Sequence, residues 1–373
     1  MSHHRQFPAA HDPSVYWTLV VNPAPAPHSA PHLRPFSPSL NQPASLLRQR
    51  VSSRIPVQIT VAICTRNPHL VRLARVIDGL RAQNLDPSEW QLLLVDNDSH
   101  PPVSLHGWSA PFSVRILTAS RPGLFHARLA AIDANRAPLL VFIDDDTVPA
   151  PDFLRVLVAA FAADPRLVAA GPRIVPDYCA PPPAWLPEFA WALALRDMGD
   201  VPLSWSLADE TPMPNFTPIG AGLALRATAL PPYRAHARSN ERQILARSWI
   251  GQGSGGNEDK DLVYTLIRAG GRVAYIPDAV LHHQIPPERL TPSYFEKLLP
   301  GLAWLHQRTL HAHGLDNHPP ISRLGCYLRS VRSWFHHRAW RRPVPRIRWL
   351  AACGIFRGLA DNQGDTFRYP PPA

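Results

Sequence analysis

Three consecutive carboxylates, Asp144, Asp145 and Asp146, close the apolar run LLVFI at Leu139–Ile143. A run of that length is too short to cross a membrane and fits a strand covered on both faces, as in a parallel sheet. The acids therefore stand at the carboxyl end of a strand, where open α/β sheets bind ligands. Adjacent carboxylates raise one another's pKa unless a positive charge lies among them, so a bound cation is one reading of the cluster. A solvated acidic turn is the other, because Pro151 and the apolar periodicity of VPAPDFLRVLVAAF follow directly.

A second acidic cluster, NEDKD, follows the glycine-rich run GQGSGG at residues 251–256. The run has the form GxGxxG but follows no convincing strand at the start of a βαβ unit, so a dinucleotide site is rejected. It reads instead as a mobile loop feeding a helix, with Asn257 or Glu258 near the cap and Gly270 at the end. Acids in a first turn complement the helix dipole. The functional reading makes Glu258 or Asp259 a general base presented by a loop able to close over substrate.

The elements that must position these acids alternate in type. VQITVAIC, WQLLLVDND, SVRILTA and PLLVFIDDD read as strands, and HLVRLARVIDGLRAQ and LFHARLAAIDAN as helices, over about residues 57–294. This repetition predicts an α/β fold with a mostly parallel central sheet flanked by helices. The first strand then ends in Thr65, Arg66 and Asn67 and the second in Asp96 and Asn97, at the same sheet edge as the three aspartates. Asp96 has the chemistry to accept from a pyrimidine N3–H, Thr65 to meet base carbonyls and Arg66 to approach phosphate. Taken alone, DNDS is also a good Asx turn.

Composition bounds the class. The chain has 373 residues, 45% of them apolar, and a net charge of +10 carried almost wholly by arginine. That length and apolar content can bury a large core. A basic balance favours polyanionic partners, but the charge concentrates in the tail while the acids lie in the middle, which makes nucleic acid an unlikely ligand. Cys64, Cys179, Cys326 and Cys353 are too scattered for a disulfide framework or a metal knuckle. No run approaches a membrane span and the start has no signal-peptide pattern, so the expectation is a cytoplasmic protein. Residues 1–55, rich in Pro and His, read as a disordered arm. Residues 56–299 form the expected catalytic domain, and 300–373 a helical, basic and aromatic C-terminal extension.

The segments ITVAICTRN, LLLVDNDS, RPGLFHARLAAIDANRAPLLVFIDDDTVPAPDFL, PIGAGLALRATAL and GGNEDKDLVYTLIRAGGRVAYIPDAVLHHQIPPERLTPSYF, in that order and spacing, resemble the family 2 glycosyltransferases of the GT-A fold over about residues 57–295. The resemblance implies sugar transfer from a nucleotide-diphosphate donor with inversion and a divalent cation, Mg²⁺ or Mn²⁺. It implies that Thr65 and Asp96 hold the nucleobase, that Asp145 lies near the ribose, that Asp146 is the principal metal ligand and that Asp259 is the base. His283 matches a histidine able to join the metal or diphosphate, though the pair His282-His283 leaves that match open by one residue. Asn97 stands where many relatives have a second acid, which leaves the base that is read open.

These roles fit the chemistry. A cation would neutralise charge on the departing diphosphate, hard oxygen ligands suit Mg²⁺ or Mn²⁺, and a base on the opposite face of the sugar gives a single displacement. Trp185, Trp191 and Trp205, among many prolines, are candidates for an acceptor wall, with core packing the stronger reading for each. In the tail, Arg323, Arg329, Arg332, Arg338, Arg341 and Arg342 interleave with Tyr327, Trp334, Phe335 and Trp340. That composition suits a helix at an anionic membrane surface, at the inner face for an enzyme using a glycan or lipid-linked acceptor. It suits equally a helix packed on the catalytic domain. The competing class is a catalytically inactive basic binding module, for membrane or nucleic acid, that retains the fold.

Overall fold

The computed structural model describes residues 57–104, 108–246, 256–316 and 318–370. The expected disordered arm and all but the last glycine of GQGSGG lie outside them. Among the described residues nine strands form one sheet: β1 (Ile59–Thr65), β2 (Trp90–Asp96), β3 (Ser113–Thr118), β4 (Leu139–Ile143), β5 (Thr147–Pro149), β6 (Leu167–Tyr178), β7 (Leu203–Trp205), β8 (Ala224–Arg226) and β9 (Arg272–Ile285). Their order is β3-β2-β1-β4-β8-β6-β9-β5, with β7 also on β9.

From β3 to β4 every pairing is parallel. Beyond β4 the sheet is mixed: β8 runs antiparallel to β4 and β6, β9 is parallel to β6, and β5 and β7 are antiparallel to β9. The predicted parallel arrangement thus holds for the half built from strand-helix repeats. In the other half short strands return to the sheet without a crossover helix, so direction is set by tertiary pairing.

The uninterrupted apolar strands follow from burial on both faces. Ile59, Val61, Ile63, Leu139, Val141 and Ile143 face one core, shared with α1 (Leu70–Arg81) and α3 (Phe153–Ala163). Their alternates Ala62, Leu93, Leu140 and Phe142 face a second core, shared with α2 (Leu124–Ala134), α4 (Pro231–Ser239) and α6 (Glu258–Arg268), which follows the short α5 (Glu241–Leu245). Each large side chain fully buried there contributes about 1.5–3 kcal/mol. The strand ends that carry the polar residues are held by this two-sided packing.

Three further helices follow among the described residues: α7 (Pro292–His313), α8 (Arg323–His337) and α9 (Val344–Asp361). The boundary expected at residue 299 falls inside α7, which continues through Pro300. A third core cluster joins Phe295 and Leu299 of α7, Ile347 and Ala351 of α9, Ile285 of β9 and the 3₁₀ helix Leu186–Leu193. Gly354 and Gly358 of α9 lie so close to α7 that an added Cβ would overlap the Pro300 carbonyl and crowd Gln307. The C-terminal helices are therefore packed into the catalytic body. No helix among the described residues is long and apolar enough to cross a membrane.

Candidate active site

The predicted acids and strand ends meet at one edge of the sheet. Thr65 and Asp96 are register partners across β1 and β2, and the Thr65 hydroxyl donates a short hydrogen bond to Asp145 Oδ2. Burial pushes the Asp145 carboxyl up to about 6; the Thr65 bond opposes the shift, and the neighbouring charges of Asp146 and Asp144 add to it. Asp144 is likewise raised, first by burial, with Arg128 opposing and Asp146 reinforcing.

Asp146 differs from both. Burial acts to raise its pKa, yet His283 and the guanidinium charges of Arg289 and Arg72 outweigh that and hold it below the usual carboxylate range. Asp146 Oδ2 lies 3.4 Å from His283 Nε2 and 3.3 Å from Arg289 Nη1. The pairing of β5 with β9 brings this about, by setting Thr147 opposite His283 and Val148 opposite His282. His283 is buried and His282 exposed, so strand register sets His283 rather than His282 against Asp146. The Leu193 carbonyl accepts from His283 Nδ1 at 2.9 Å, and Arg289 donates to Nε2 at 3.2 Å. The bond to Leu193 fixes the ring with Nε2 facing both the Asp146 carboxylate and the Arg289 guanidinium. An imidazole anchored by a carbonyl and aimed beside a carboxylate is a donor set that fits a divalent cation, and the Arg289 guanidinium indicates that positive charge is favoured at that point.

The loop after β2 is tightly tied. Asp96 accepts from the backbone N–H of Ser99 at 3.0 Å and of Val103 at 2.9 Å. Burial works to raise its pKa, but these bonds prevail and lower it. The Asn97 amide donates to the carbonyls of Ala119 and Arg121 and accepts from Gly123 N–H, joining this loop to the start of α2. Asn67, at φ 52°, receives the His100 N–H on its side chain, while Arg66 reaches Asp98 at 3.4 Å from an exposed position. The turn read from DNDS closes through the Ser99 N–H on Asp96, three residues on, and strand register sets Asp96 beside Thr65.

The second acidic cluster divides into two environments. Asn257 holds the N-cap position of α6 without a side-chain cap hydrogen bond, Glu258 is buried, and its Oε1 pairs with Arg128 Nη1 at 3.0 Å. Asp259 is half-buried, its Oδ2 accepting from Gly220 N–H at 2.6 Å and its Oδ1 from Lys260 N–H at 2.7 Å. The charges of Arg128, Asp146, His283 and Asp259 all act on Asp144, so the two acidic clusters share one electrostatic neighbourhood. Beside them burial pulls Lys260 down to about 8, opposed by Asp259, and Arg196 down to about 10. Arg128, Arg196, Gly220 and Arg289 escaped the sequence reading. For Arg128 a signal existed: an arginine on the buried side of LFHARLAAIDAN needs a carboxylate partner.

Outside this edge, Asp261 bonds His236 at 3.0 Å and His313 at 2.9 Å, the one group of three potential metal ligands found together among the described residues. It is distinct from the Asp146 and His283 pair. Trp205 is core, with its indole N–H on Thr211, and Trp185 stacks edge-on against Phe189 and Phe295.

Residues 60–214 match the model for glycosyl transferase family 2, and residues 139–359 match that for glycosyl transferase family group 2. Among characterised relatives, the succinoglycan biosynthesis protein ExoM of Rhizobium meliloti (strain 1021) is 23% identical over 317 residues, 81% of this chain and 93% of its own length. A glucosyl-dolichyl phosphate glucuronosyltransferase of Haloferax volcanii is 23% identical over 147 residues, covering 38% of this chain and 47% of the relative. Among solved structures, S. aureus TarS 1-349 in complex with UDP-GlcNAc is 13% identical with a TM-score of 0.44, covering 84% of this chain and 93% of TarS 1-349. The mannosyltransferase PcManGT from Pyrobaculum calidifontis, in complex with GDP-Man and Mn2+, is 15% identical with a TM-score of 0.43, covering 82% of this chain and 74% of its own. Since one of these family models runs from β4 through nearly all of α9, more than half of its length, the chain belongs to the family 2 glycosyltransferases.

Proposed function

We propose that this glycosyltransferase moves a sugar from a nucleotide-diphosphate donor to a hydroxyl of a glycan or lipid-linked acceptor, with inversion at the anomeric carbon, in polysaccharide biosynthesis. The observation that carries the reading is the convergence of the Asp144–Asp146 cluster, His283 and Asp259 on one edge of the sheet, expressed in the charges that act on Asp144. The name of the ExoM relative supports the polysaccharide context.

Thr65, Asp96 and Arg66 stand where a nucleotide would enter, with Asp145 held by Thr65 beside them. Asp146 and His283 would hold a Mg²⁺ or Mn²⁺ ion, which supplies charge neutralisation for the leaving diphosphate. Arg289, already against Asp146, is placed to shift its guanidinium onto a phosphate oxygen, a partner that suits its fork geometry. Asp259, with its carboxylate fixed by the N–H groups of Gly220 and Lys260, takes the proton of the acceptor hydroxyl as the hydroxyl attacks. Glu258, buried and paired with Arg128, shapes the site.

The test is nucleoside diphosphate release from a panel of UDP-, GDP- and dTDP-sugars, with Mn²⁺, with Mg²⁺ and with chelator. One donor class should be turned over in a metal-dependent way, and Asp146→Asn should abolish the metal-dependent part while the protein stays folded by circular dichroism. Release by the variant equal to wild type, or no release from any donor by the folded protein, overturns the proposal.

A further inference from the structure

We propose that the outer face of α8 is an interfacial docking surface that seats the protein on an anionic lipid membrane. Leu324, Leu328, Val331 and Phe335 recur at helical spacing on one face, with Tyr327 beside them, and all are exposed, Leu324 at 66% and Phe335 at 64%. Ser333, on the opposite side of the helix, is buried. An amphipathic helix of a globular protein turns its apolar stripe inward; here the stripe points out. Trp340, 52% exposed, extends it, with its ring 6.2 Å from that of Phe335.

The charges bordering the stripe identify the partner. Residues 317–360 contain nine arginines and no aspartate or glutamate. Arg346, Arg348 and Arg357 pair with Glu296, Glu188 and Asp361. Arg323, Arg329, Arg332, Arg338, Arg341 and Arg342 form no ion pair with a described carboxylate. An anionic bilayer answers both features, with phosphates for the guanidinium groups and an acyl boundary for the aliphatic stripe. A nucleic acid would satisfy the arginines and leave Leu324, Leu328 and Val331 in water, and a second copy of the chain would set arginine against arginine.

The face is rigidly joined to the active site. Trp334 of α8 meets Trp349 of α9 edge to face at 4.8 Å. Arg348 of α9 grips both carboxylate oxygens of Glu188 at 2.5 and 2.6 Å, and Glu188 belongs to the 3₁₀ helix whose Leu193 carbonyl anchors His283. Docking through α8 therefore fixes the orientation of the catalytic edge relative to the lipid surface, as an acceptor carried in that surface requires.

The experiment is co-sedimentation of the full chain with phosphatidylcholine vesicles, with and without phosphatidylglycerol, at low and high salt. Wild type should bind the anionic vesicles only and be released by salt. Leu328→Ser with Phe335→Ser should lose binding. Replacing Arg323, Arg329 and Arg332 by Gln should weaken it about a hundredfold, at about fivefold per arginine. These exposed substitutions leave nucleotide release unchanged, so failure of docking and failure of the donor reading are seen separately. Equal sedimentation with neutral and anionic vesicles, variants that bind like wild type, or a dimer in sedimentation velocity that the Ser variants dissociate would overturn the proposal.

Discussion

Glu258 and Asp259 are neighbours in sequence and opposites in chemistry. Their order along α6 turns one toward buried Arg128 and leaves the other half-buried beside Gly220. Asp259→Asn keeps an oxygen for the Gly220 N–H, so donor affinity by calorimetry should be retained while turnover falls about 10² or more, the scale of a removed general base. Glu258→Gln should do the reverse, lowering unfolding free energy by about 1–3 kcal/mol because a charge-assisted bond becomes a weaker one, with turnover changed far less. A Glu258 variant that loses turnover at full stability would exchange the two roles. The residues by themselves left Glu258 or Asp259 open, and only the family resemblance chose Asp259, because a periodic pattern identifies a helix start but does not say which side of the first turn meets an arginine from another helix.

At the scale of elements, the loop before β8 holds the site together. Gly220 gives its N–H to Asp259, and a Cβ on it would overlap Arg128 Nη2. That guanidinium is buried and paired with Glu258, so it cannot swing aside cheaply as a surface arginine would. Gly220→Ala should cost about 1–3 kcal/mol of stability and lower turnover together with it, measured by denaturant titration and nucleotide release on the same sample; unchanged values for both would mean that the loop yields without disturbing the pair. Register does comparable work at β5 and β9. A slip of one residue would exchange buried His283 for exposed His282, which is why HHQIPP left the histidine open.

For the whole molecule, histidines that the fold keeps neutral weaken the protein in acid, while the raised Asp145 carboxyl, at about 6, acts in the opposite direction. Burial, with the charge of Lys260, holds His306 well below its ordinary value. Burial also lowers His313, though Asp261 opposes the shift, and lowers His337 to about 4. Unfolded, each titrates near 6.5 and takes up its proton first. The stability they confer is therefore complete above about pH 6.5 and is lost as pH falls through that value toward their folded pKa values. Asp261, lowered because the bonds from His236 and His313 outweigh burial, adds a loss in the same direction only below its unfolded value, near pH 4. Between pH 7 and pH 5 the fall in melting temperature should be less steep in His306→Gln than in wild type. Identical slopes would assign the decline to other groups.

The sequence alone determined the α/β class, the strands from β1 to β4, and the placing of Thr65, Asp96 and the three aspartates at strand ends, because local periodicity fixes which residues share an end of a sheet. It also marked the tail's arginines and aromatics. Tertiary structure decided what depends on distant partners. The second half of the sheet is mixed because short strands pair by proximity, not by a crossover helix. α7 runs past Pro300, whose carbonyl lies against Gly354 of α9. Asp146, His283 and Arg289 meet, and Glu258 is withdrawn onto Arg128, through contacts between elements far apart in the chain. An electrostatic neighbourhood is a property of distances in space, and no spacing along the sequence encodes it.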